Sequence, residues 1–599
     1  MARPRLSNGF VAPIALCCGL GLLLCSFANT LARETLDPSS LLYWGGILLI
    51  SLPIFWRLTS RDASPGERLV LVCLLGLSLY GVKVVRDAPL FTFSDELVHA
   101  FNADQIASHH HLFRSNPILP VTPRYPGLEG ATSALMTITG ISSYWAGIVV
   151  VGIARLSLTI ALFLLFARVG GSARTAGLAV AIYAGNFNFL YWGAQFSYES
   201  LSLPLFAVVL MAVAERGAAP RERARDWAVP IVLGIAAIVV THHLTSYAVA
   251  VFLAALAVAY WLVRRDWSWP NPWRFAVLAA LLATAWLLLV ANSTFGYLGP
   301  VIGEAFEAIF NTASGEAPPR ALFEGKGSSA SLPPTPFLAR AIALLAVGLL
   351  AAATPFGLMR FWRRYRRQPF ALVFALAALG FFATLLLRLA PAAWETGNRL
   401  SEFLFIGLAF VAALAGLQNW RPRNRPWIGR AALTAALGVL VVGGAIAGWP
   451  WDLQLASPIR ASADGGTISS PPLALGEWAE HNVAEGERFA ASTADARTLM
   501  NPGERTALAG KTPDIQDMLE ETAFSGWELP LLRRENLRYV VTDRREISFD
   551  GTRGYSFAID GADEALLPLV SVTKFAELPG ATRIYSSGDI SIYDLGERP

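Results

Sequence analysis

The first 450 residues alternate long apolar runs with short polar segments. Each run is long enough for a helix to cross the ~30 Å hydrocarbon core of a bilayer. After residue 450 the long runs stop, and shorter amphipathic and strand-like segments replace them. The pattern predicts thirteen transmembrane helices, at 11–28, 40–56, 68–85, 143–166, 175–192, 197–214, 228–246, 246–263, 275–292, 337–358, 370–390, 402–418 and 431–449.

Basic residues distinguish the two sides of this predicted bundle. Alternate short loops carry 23 arginines, whereas the loops of the other side carry about seven basic residues. Loops rich in Arg and Lys stay in the cytoplasm. We therefore expect a multi-pass protein of the cell membrane, with its N-terminus inside and everything after residue 450 outside.

Charge and composition also divide the chain at residue 450. Residues 451–599 hold 14 basic and 24 acidic residues, whereas residues 1–450 hold 34 and 20. The basic residues of the first part are spread over thin loops, which argues against a nucleic-acid partner. The sequence predicts a mainly α, polytopic membrane module at 1–450 and a small extracytoplasmic α/β domain at 451–599. Its predicted helices are PPLALGEWAEHN and TPDIQDMLEET, and its predicted strands are LRYVVTDR, LVSVTKFAEL, TRIYSS and ISIYDL.

The first large outer loop contains an unusual concentration of acids and histidines. Three outer loops are predicted, at 86–142, 292–336 and 391–402. In the first, Asp95 and His99 fall on one face of a predicted helix, and Glu96 stands beside them. A carboxylate can accept a proton from a hydroxyl group or hold a divalent cation. The spacing admits Asp95 and His99 as a ligand pair for Mg²⁺, Mn²⁺ or Zn²⁺, and this stretch alone equally admits a solvated helix.

Three consecutive histidines follow, at His109, His110 and His111. Consecutive side chains cannot share one face of a helix or a strand. We therefore interpret them as a loop patch that supplies at most one ligand.

Further polar residues reach the same predicted side of the membrane. Ionisable groups near a bilayer are costly, and their presence favours a functional site. Acids, histidines and one isolated arginine together indicate a reaction centre for a phosphate-bearing lipid, with arginine for the anion and an acid for the acceptor. The residues that join Asp95, Glu96 and His99 as candidates are Arg124, Tyr198, Glu199, His242, His243, Arg399 and Glu402.

This combination resembles the GT-C superfamily of polytopic glycosyltransferases, over most of the chain. A C-terminal extracytoplasmic domain after about a dozen spans is similar to that family as well. The motifs that carry the resemblance are Asp95–Glu96, YPGLE at Tyr125–Glu129, FSYESLSLPL at Phe196–Leu205, HHLTSY at His242–Tyr247 and GNRLSEF at Gly397–Phe403.

The resemblance implies a polyprenyl-phosphate-linked sugar as donor and an envelope glycan, lipid or protein as acceptor, with membrane lipids around both. By it, Asp95 is the general base or a metal ligand, and Glu96 supports it. Arg399 contacts the lipid phosphate, and the other candidates belong to the substrate pocket. Two alternatives stay open: a transporter or flippase of a lipid-linked sugar, and a non-catalytic scaffold. The scaffold hypothesis predicts that Asp95, Glu199 and Arg399 are scattered in space.

Overall fold

The structure is a computed structural model, and it has a mainly helical fold with a small C-terminal sheet. Parts of the predicted loop 292–336 and of the predicted domain 451–599 lie outside the residues that it describes. The described residues are 9–34, 39–91, 93–116, 119–320, 322–323, 335–390, 392–416, 426–448, 454–455, 470–484, 486–500, 506–509, 513–547 and 568–596.

Sixteen described helices precede residue 450. Ten of them are long and apolar enough to cross a membrane, and the chain is a multi-pass membrane protein, as predicted. In chain order the helices are α1 (Val11–Glu34), α2 (Ser39–Thr59), α3 (Pro65–Asp87), α4 (Ser94–His109), α5 (Gly127–Thr139), α6 (Ser143–Gly170), α7 (Ala173–Tyr183), α8 (Tyr198–Ala218), α9 (Ala228–Thr241), α10 (His243–Arg264), α11 (Trp273–Leu289), α12 (Thr294–Ser314), α13 (Phe337–Arg364), α14 (Pro369–Leu387), α15 (Trp394–Gly416) and α16 (Pro426–Gly448).

Each of the thirteen predicted segments contains a helix, but three of these helices are shorter than a full span. They are α7, α9 and α11, with 11, 14 and 17 residues. Helix α11 meets α12 at a bend of 104°. The segment predicted at 175–192 stays helical only to Tyr183, and the chain then runs through turns until α8 begins.

Close packing against α16 accounts for the early end of α7. The turns after Tyr183 press directly on the glycines of α16, and a Cβ atom on Gly448 would lie only 1.7 Å from the carbonyl oxygen of Phe187. Only glycine allows two backbones to approach so closely. The connecting segment 184–197 is therefore fixed between α16 and the start of α8.

Helix α15 lies at the centre of the membrane module. Its apolar length, including Phe405 and Phe410, is buried in one large core with aromatic side chains such as Phe166 and Phe374. Its first three turns instead carry charged residues, among them Arg399 and Glu402. The helix thus brings charges to one end of the bundle while its remainder provides core contacts.

A five-stranded sheet follows, in what we call the C-terminal region (residues 470–596). The strand order is β2-β1-β3-β5-β4, in which β2, β1 and β3 are parallel and β5 is antiparallel to both β3 and β4. This small α/β arrangement confirms the predicted fold class. Its elements are α17 (Ser470–Asn482), β1 (Arg488–Ala491), α18 (Thr493–Met500), β2 (Thr506–Ala509), α19 (Pro513–Glu520), α20 (Glu528–Arg534), β3 (Tyr539–Asp543), α21 (Leu569–Thr573), β4 (Thr582–Ser586) and β5 (Ile590–Asp594).

Both predicted helices and three of the four predicted strands are found, but the strand predicted for LVSVTKFAEL is wrong. That stretch forms α21 and a 3₁₀ turn at Lys574–Glu577. Val572 and Phe575 are buried three residues apart, which is a helical spacing rather than the alternation of a strand. The hydroxyl group of Ser571 also donates a hydrogen bond to the carbonyl of Glu520 at 2.6 Å, which fixes the turn against α19.

Helix α4 joins the two parts of the molecule. Val98 and Phe101 on this helix belong to the apolar core of the C-terminal region, together with Leu499 and Met500 of α18. His99, on a neighbouring face of the same helix, points instead to α5 and α8. The C-terminal region therefore supports the helix that carries the predicted acids.

Candidate active site

Three charged residues predicted from separate loops come together at one end of the bundle. Nη1 of Arg399 donates to Oε2 of Glu199 at 3.0 Å, and its Nη2 donates to Oε1 of Glu395 at the same distance. Asp95 is half-buried and interacts electrostatically with both Arg399 and Glu199. Each of the three predicted residues thus comes from a different helix, Asp95 from α4, Glu199 from α8 and Arg399 from α15, and lies at or near the first turn of that helix.

A cluster of aromatic and imidazole rings lies beside these charges. The ring of Tyr198 stacks on His242 with centroids 4.4 Å apart, and it meets the edge of His99 at 4.6 Å. His243 extends the cluster to Tyr125, 5.4 Å away. Burial raises the pKa of the Tyr125 phenol above its ordinary value, so the group stays neutral at physiological pH. All of these rings are buried and pack against one another.

A buried carboxylate orients His99. Nδ1 of His99 lies 2.6 Å from Oε1 of Glu129, and both side chains are almost completely buried. Asn102, one turn further along α4, donates to the hydroxyl of Thr122 at 2.9 Å. Only the position of Glu129 within YPGLE singled it out in the sequence, since its pairing with a residue thirty positions earlier leaves no local pattern.

Four buried polar atoms in this neighbourhood have no hydrogen-bond partner among the described residues. Buried polar atoms in folded proteins nearly always have one. His242 is held through Nδ1 by the hydroxyl of Thr245 at 2.8 Å, which leaves its Nε2 unpaired. A bound ligand or water molecule would satisfy these atoms. They are Oε2 of Glu129, Oε1 of Glu199, Nε2 of His242 and Nδ1 of His243.

Glu402 lies behind the surface charges, next to a small internal cavity. The cavity measures about 10 Å³, room for about one water molecule. Its lining includes Arg155, an arginine inside an apolar helix, which donates to the carbonyl groups of Phe189 at 2.8 Å and Gly193 at 2.5 Å. Arg155 therefore holds the segment that leads into Glu199, and Glu402 is buried against the same cavity.

Glu96 occupies an environment unlike that of its neighbour Asp95. It is fully buried and forms an ion pair with Lys83 of α3. Its carboxylate also accepts hydrogen bonds from the backbone N–H groups of Phe196 at 2.8 Å and Phe93 at 3.3 Å. Because three donors already share this carboxylate, Glu96 ties α4 to α3 and to the start of α8.

Two other sequence candidates lie apart from this cluster. The carbonyl of Arg124 accepts a hydrogen bond from Trp286, but the contacts among the described residues do not bring its side chain to Asp95 or Arg399. The three histidines at His109, His110 and His111 are exposed at the end of α4. His109 is the last residue of α4 and His110 caps the helix, so only part of the predicted loop patch is a loop, and the prediction of at most one ligand stays a prediction.

A compact group of possible metal ligands lies apart from the predicted pair of Asp95 and His99. Within the described residues, one group of three acids, histidines or cysteines is compact enough to hold an ion, and it is Asp495, Asp543 and Glu546. Asp95 and His99 are not part of such a group. Their role as metal ligands therefore stays a prediction without a third protein ligand in the described part of the chain.

Comparison with solved structures identifies the architecture. The arabinofuranosyltransferase AftD from Mycobacteria, in its R1389S mutant form, superposes with a TM-score of 0.52 at 16% sequence identity, over 90% of this chain and 42% of that one. The chain has the GT-C fold. Since it spans less than half of AftD, the GT-C likeness concerns the shared fold alone.

Two further GT-C structures match at a lower similarity. ArnT from Cupriavidus metallidurans, solved with undecaprenyl phosphate and in the apo state, gives a TM-score of 0.49 in both forms, with identities of 12% and 11%. Each match covers 88% of this chain and 98% of ArnT. No protein-family model matches the sequence, and a search of curated proteins gives no match.

Proposed function

We propose that the protein is an inverting glycosyltransferase that moves a sugar from a polyprenyl-phosphate carrier to an envelope acceptor at the outer face of the membrane. The observation that carries the proposal is the meeting of Asp95, Glu199 and Arg399 at one end of the bundle. A scaffold without catalytic function gives no reason for three charged residues from separate loops to converge. The GT-C fold supports the same class of reaction.

Asp95 is assigned as the general base. It is half-buried and makes no hydrogen bond with a described residue, so its carboxylate is available to a substrate hydroxyl group. It takes the proton of the acceptor O–H as the oxygen forms a bond to the anomeric carbon. The bond between that carbon and the phosphate oxygen breaks at the same time, and attack from the opposite face inverts the configuration.

Arg399 is assigned as the contact for the leaving phosphate. Its guanidinium already meets Glu199 and the more exposed Glu395. A phosphate can displace Glu395 and bind the same N–H groups in a bidentate manner. The arginine then stabilises the negative charge that develops on the polyprenyl phosphate as it leaves.

The rings and the remaining carboxylates are assigned to substrate positioning. His242 and His243 each have an unpaired ring nitrogen for a sugar hydroxyl group, and Tyr198 packs on both imidazole rings. Glu199 orients Arg399, and Glu402 lines the buried cavity next to the segment that leads into Glu199. Glu96 fixes α4, so that its role is to position Asp95 rather than to react.

The decisive experiment measures release of sugar from a panel of polyprenyl-phosphate sugars by the purified full-length protein. Asp95→Asn is expected to reduce transfer at least a thousandfold while expression and elution in gel filtration are unchanged, because the amide cannot accept the proton. Asp104→Asn is the matched control on the same helix, and it should keep its activity. Full activity of Asp95→Asn would exclude Asp95 as the base, and no release from any donor would overturn the proposed reaction.

A further inference from the structure

A second group of carboxylates lies in the C-terminal region, away from the residues discussed above. Asp495 comes from α18, Asp543 ends β3, and Glu546 follows in a 3₁₀ turn at Arg544–Ile547. One carboxylate oxygen of each residue lies within 4.8 Å of the corresponding oxygens of the other two, and all three residues are buried. Such spacing is compatible with three ligands of a single ion.

The group is placed where ligands bind in open α/β sheets. Strands β1 and β3 are parallel neighbours, and both end at this edge of the sheet. Ser492 follows β1 directly, and its hydroxyl group hydrogen bonds with Asp495 at 3.3 Å. Crevices at the carboxyl ends of parallel strands are the usual binding sites of this architecture.

The charges of the group are not balanced by its nearest cation. Arg545 makes a close pair with Asp543, with Nη2 at 2.6 Å from Oδ2, and it also interacts electrostatically with Asp495 and Glu546, so one guanidinium group faces three buried acids. Buried like charges are costly unless a counter-charge or a proton neutralises them.

An unpaired oxygen points to a missing partner. Glu546 is only 8% exposed, and its Oε1 has no hydrogen-bond partner among the described residues. Its carboxylate interacts with Ser492 and faces the other two acids. A buried carboxylate oxygen without a donor is rare in folded proteins, and a cation is the ligand that it suits.

We propose that Asp495, Asp543 and Glu546 bind one hard divalent cation, of the class of Mg²⁺, Mn²⁺ or Ca²⁺. The ligand atoms are all carboxylate oxygens, which such ions prefer, whereas sites for zinc usually include nitrogen or sulfur. The cation offsets the acidic charge that Arg545 leaves unbalanced, and it occupies the free oxygen of Glu546.

The cation also links the sheet to the helix that carries Asp95. Asp495 lies on α18, and Leu499 and Met500 of the same helix pack against Val98 and Phe101 of α4. An ion that fixes Asp495 to β3 therefore restrains α18 beneath α4. Bound cation is expected to slow amide hydrogen exchange in α4 as well as around the ligands.

The test is a Mn²⁺ titration of the chelator-treated full-length protein, followed by electron paramagnetic resonance. Wild type should bind one tightly held ion, and Glu546→Gln should weaken binding at least tenfold. Glu577→Gln, a change of an exposed acid in the same region, should bind as wild type does. Asp495→Asn is a second ligand variant in case Glu546→Gln does not fold, and its binding should be weakened in the same way.

Asp95→Asn separates this site from the predicted Asp95–His99 pair, since it should keep the tightly bound ion. Absence of such an ion in wild type, or wild-type affinity in both Glu546→Gln and Asp495→Asn, would overturn the proposal. Hydrogen exchange in α4 that does not respond to Mn²⁺ would overturn the link between the two sites. None of these measurements uses sugar transfer, so they are independent of the proposed enzymatic activity.

Discussion

Carboxylates are used differently at the membrane end of the molecule and in the C-terminal sheet. At the membrane end Asp95 is half-buried and Glu199 faces an arginine, and these residues come from helices far apart in the chain. In the sheet, Asp495, Asp543 and Glu546 are buried, and they come from fifty-two consecutive residues. The first arrangement leaves an acid accessible to a substrate, whereas the second encloses its acids around a point that suits an ion.

The largest effect that tests this comparison concerns the arginine of the membrane site. Arg399→Gln removes the charge that faces the leaving phosphate and leaves Glu199 without its ion-pair partner. We expect kcat/KM to fall by about 10²–10³-fold. Arg399→Lys should recover only part of this loss, because lysine cannot bind two acceptors in a fixed fork. Steady-state kinetics with the active donor measures kcat/KM for both variants. Near wild-type activity of Arg399→Gln would exclude Arg399 as the contact for the leaving phosphate.

The second prediction concerns the structural carboxylate beside Asp95. Glu96→Gln leaves Lys83 buried without its counter-charge, and we expect it to lower the free energy of unfolding by about 3 kcal/mol. Glu215→Gln breaks a more exposed pair with Arg168 and should cost less than about 1 kcal/mol. Thermal unfolding of both variants gives the comparison. Equal stability of the two would show that Glu96 has no positioning role.

A third prediction tests a buried cation of the C-terminal region. Burial lowers the pKa of Lys574 from 10.5 to about 8. Between those values the unfolded chain binds the additional proton, so the region should become more stable as the pH rises from about 8 to 10.5, by about 3 kcal/mol at most. Below pH 8 both states are protonated, and this contribution no longer changes. Hydrogen exchange corrected for its intrinsic pH dependence measures the effect, and Lys574→Met should abolish it.

The smallest effect is expected at the exposed histidines. Replacement of His109, His110 and His111 by alanine should change kcat/KM less than about twofold and stability by less than about 0.5 kcal/mol. Their side chains lie at the solvent-exposed end of α4, beyond the residues that contact α5 and α8. A large loss of activity would indicate that one of these histidines contacts a ligand or the substrate. It would then argue against a site at the other end of the helix.

The sequence allowed the helical bundle and the one-sided grouping of Asp95, Glu199 and Arg399 to be predicted, because hydropathy and loop charge follow physical rules of the membrane. It did not reveal the contrast between Asp95 and Glu96. That contrast depends on Lys83, which lies inside an apolar run and meets Glu96 only after folding.

Other features were hidden for related reasons. Glu129 acts through a partner thirty residues away, and the acids at 495, 543 and 546 share no spacing that resembles a metal motif. The end of α7 at Tyr183 depends on the glycines of α16, which no local pattern at 175–192 indicates. Such features arise from the packing of distant elements, whereas hydropathy and loop charge can be read locally.

The shared packing of α4 has a consequence for how this protein can be divided or recombined. Val98 and Phe101 complete the core of the C-terminal region while the same helix carries Asp95. A truncated protein that ends at residue 450 would expose these side chains and lose the support of the helix. Exchange of C-terminal regions between related chains should therefore succeed only when α4 is exchanged with them, because the helix and the C-terminal region share one core.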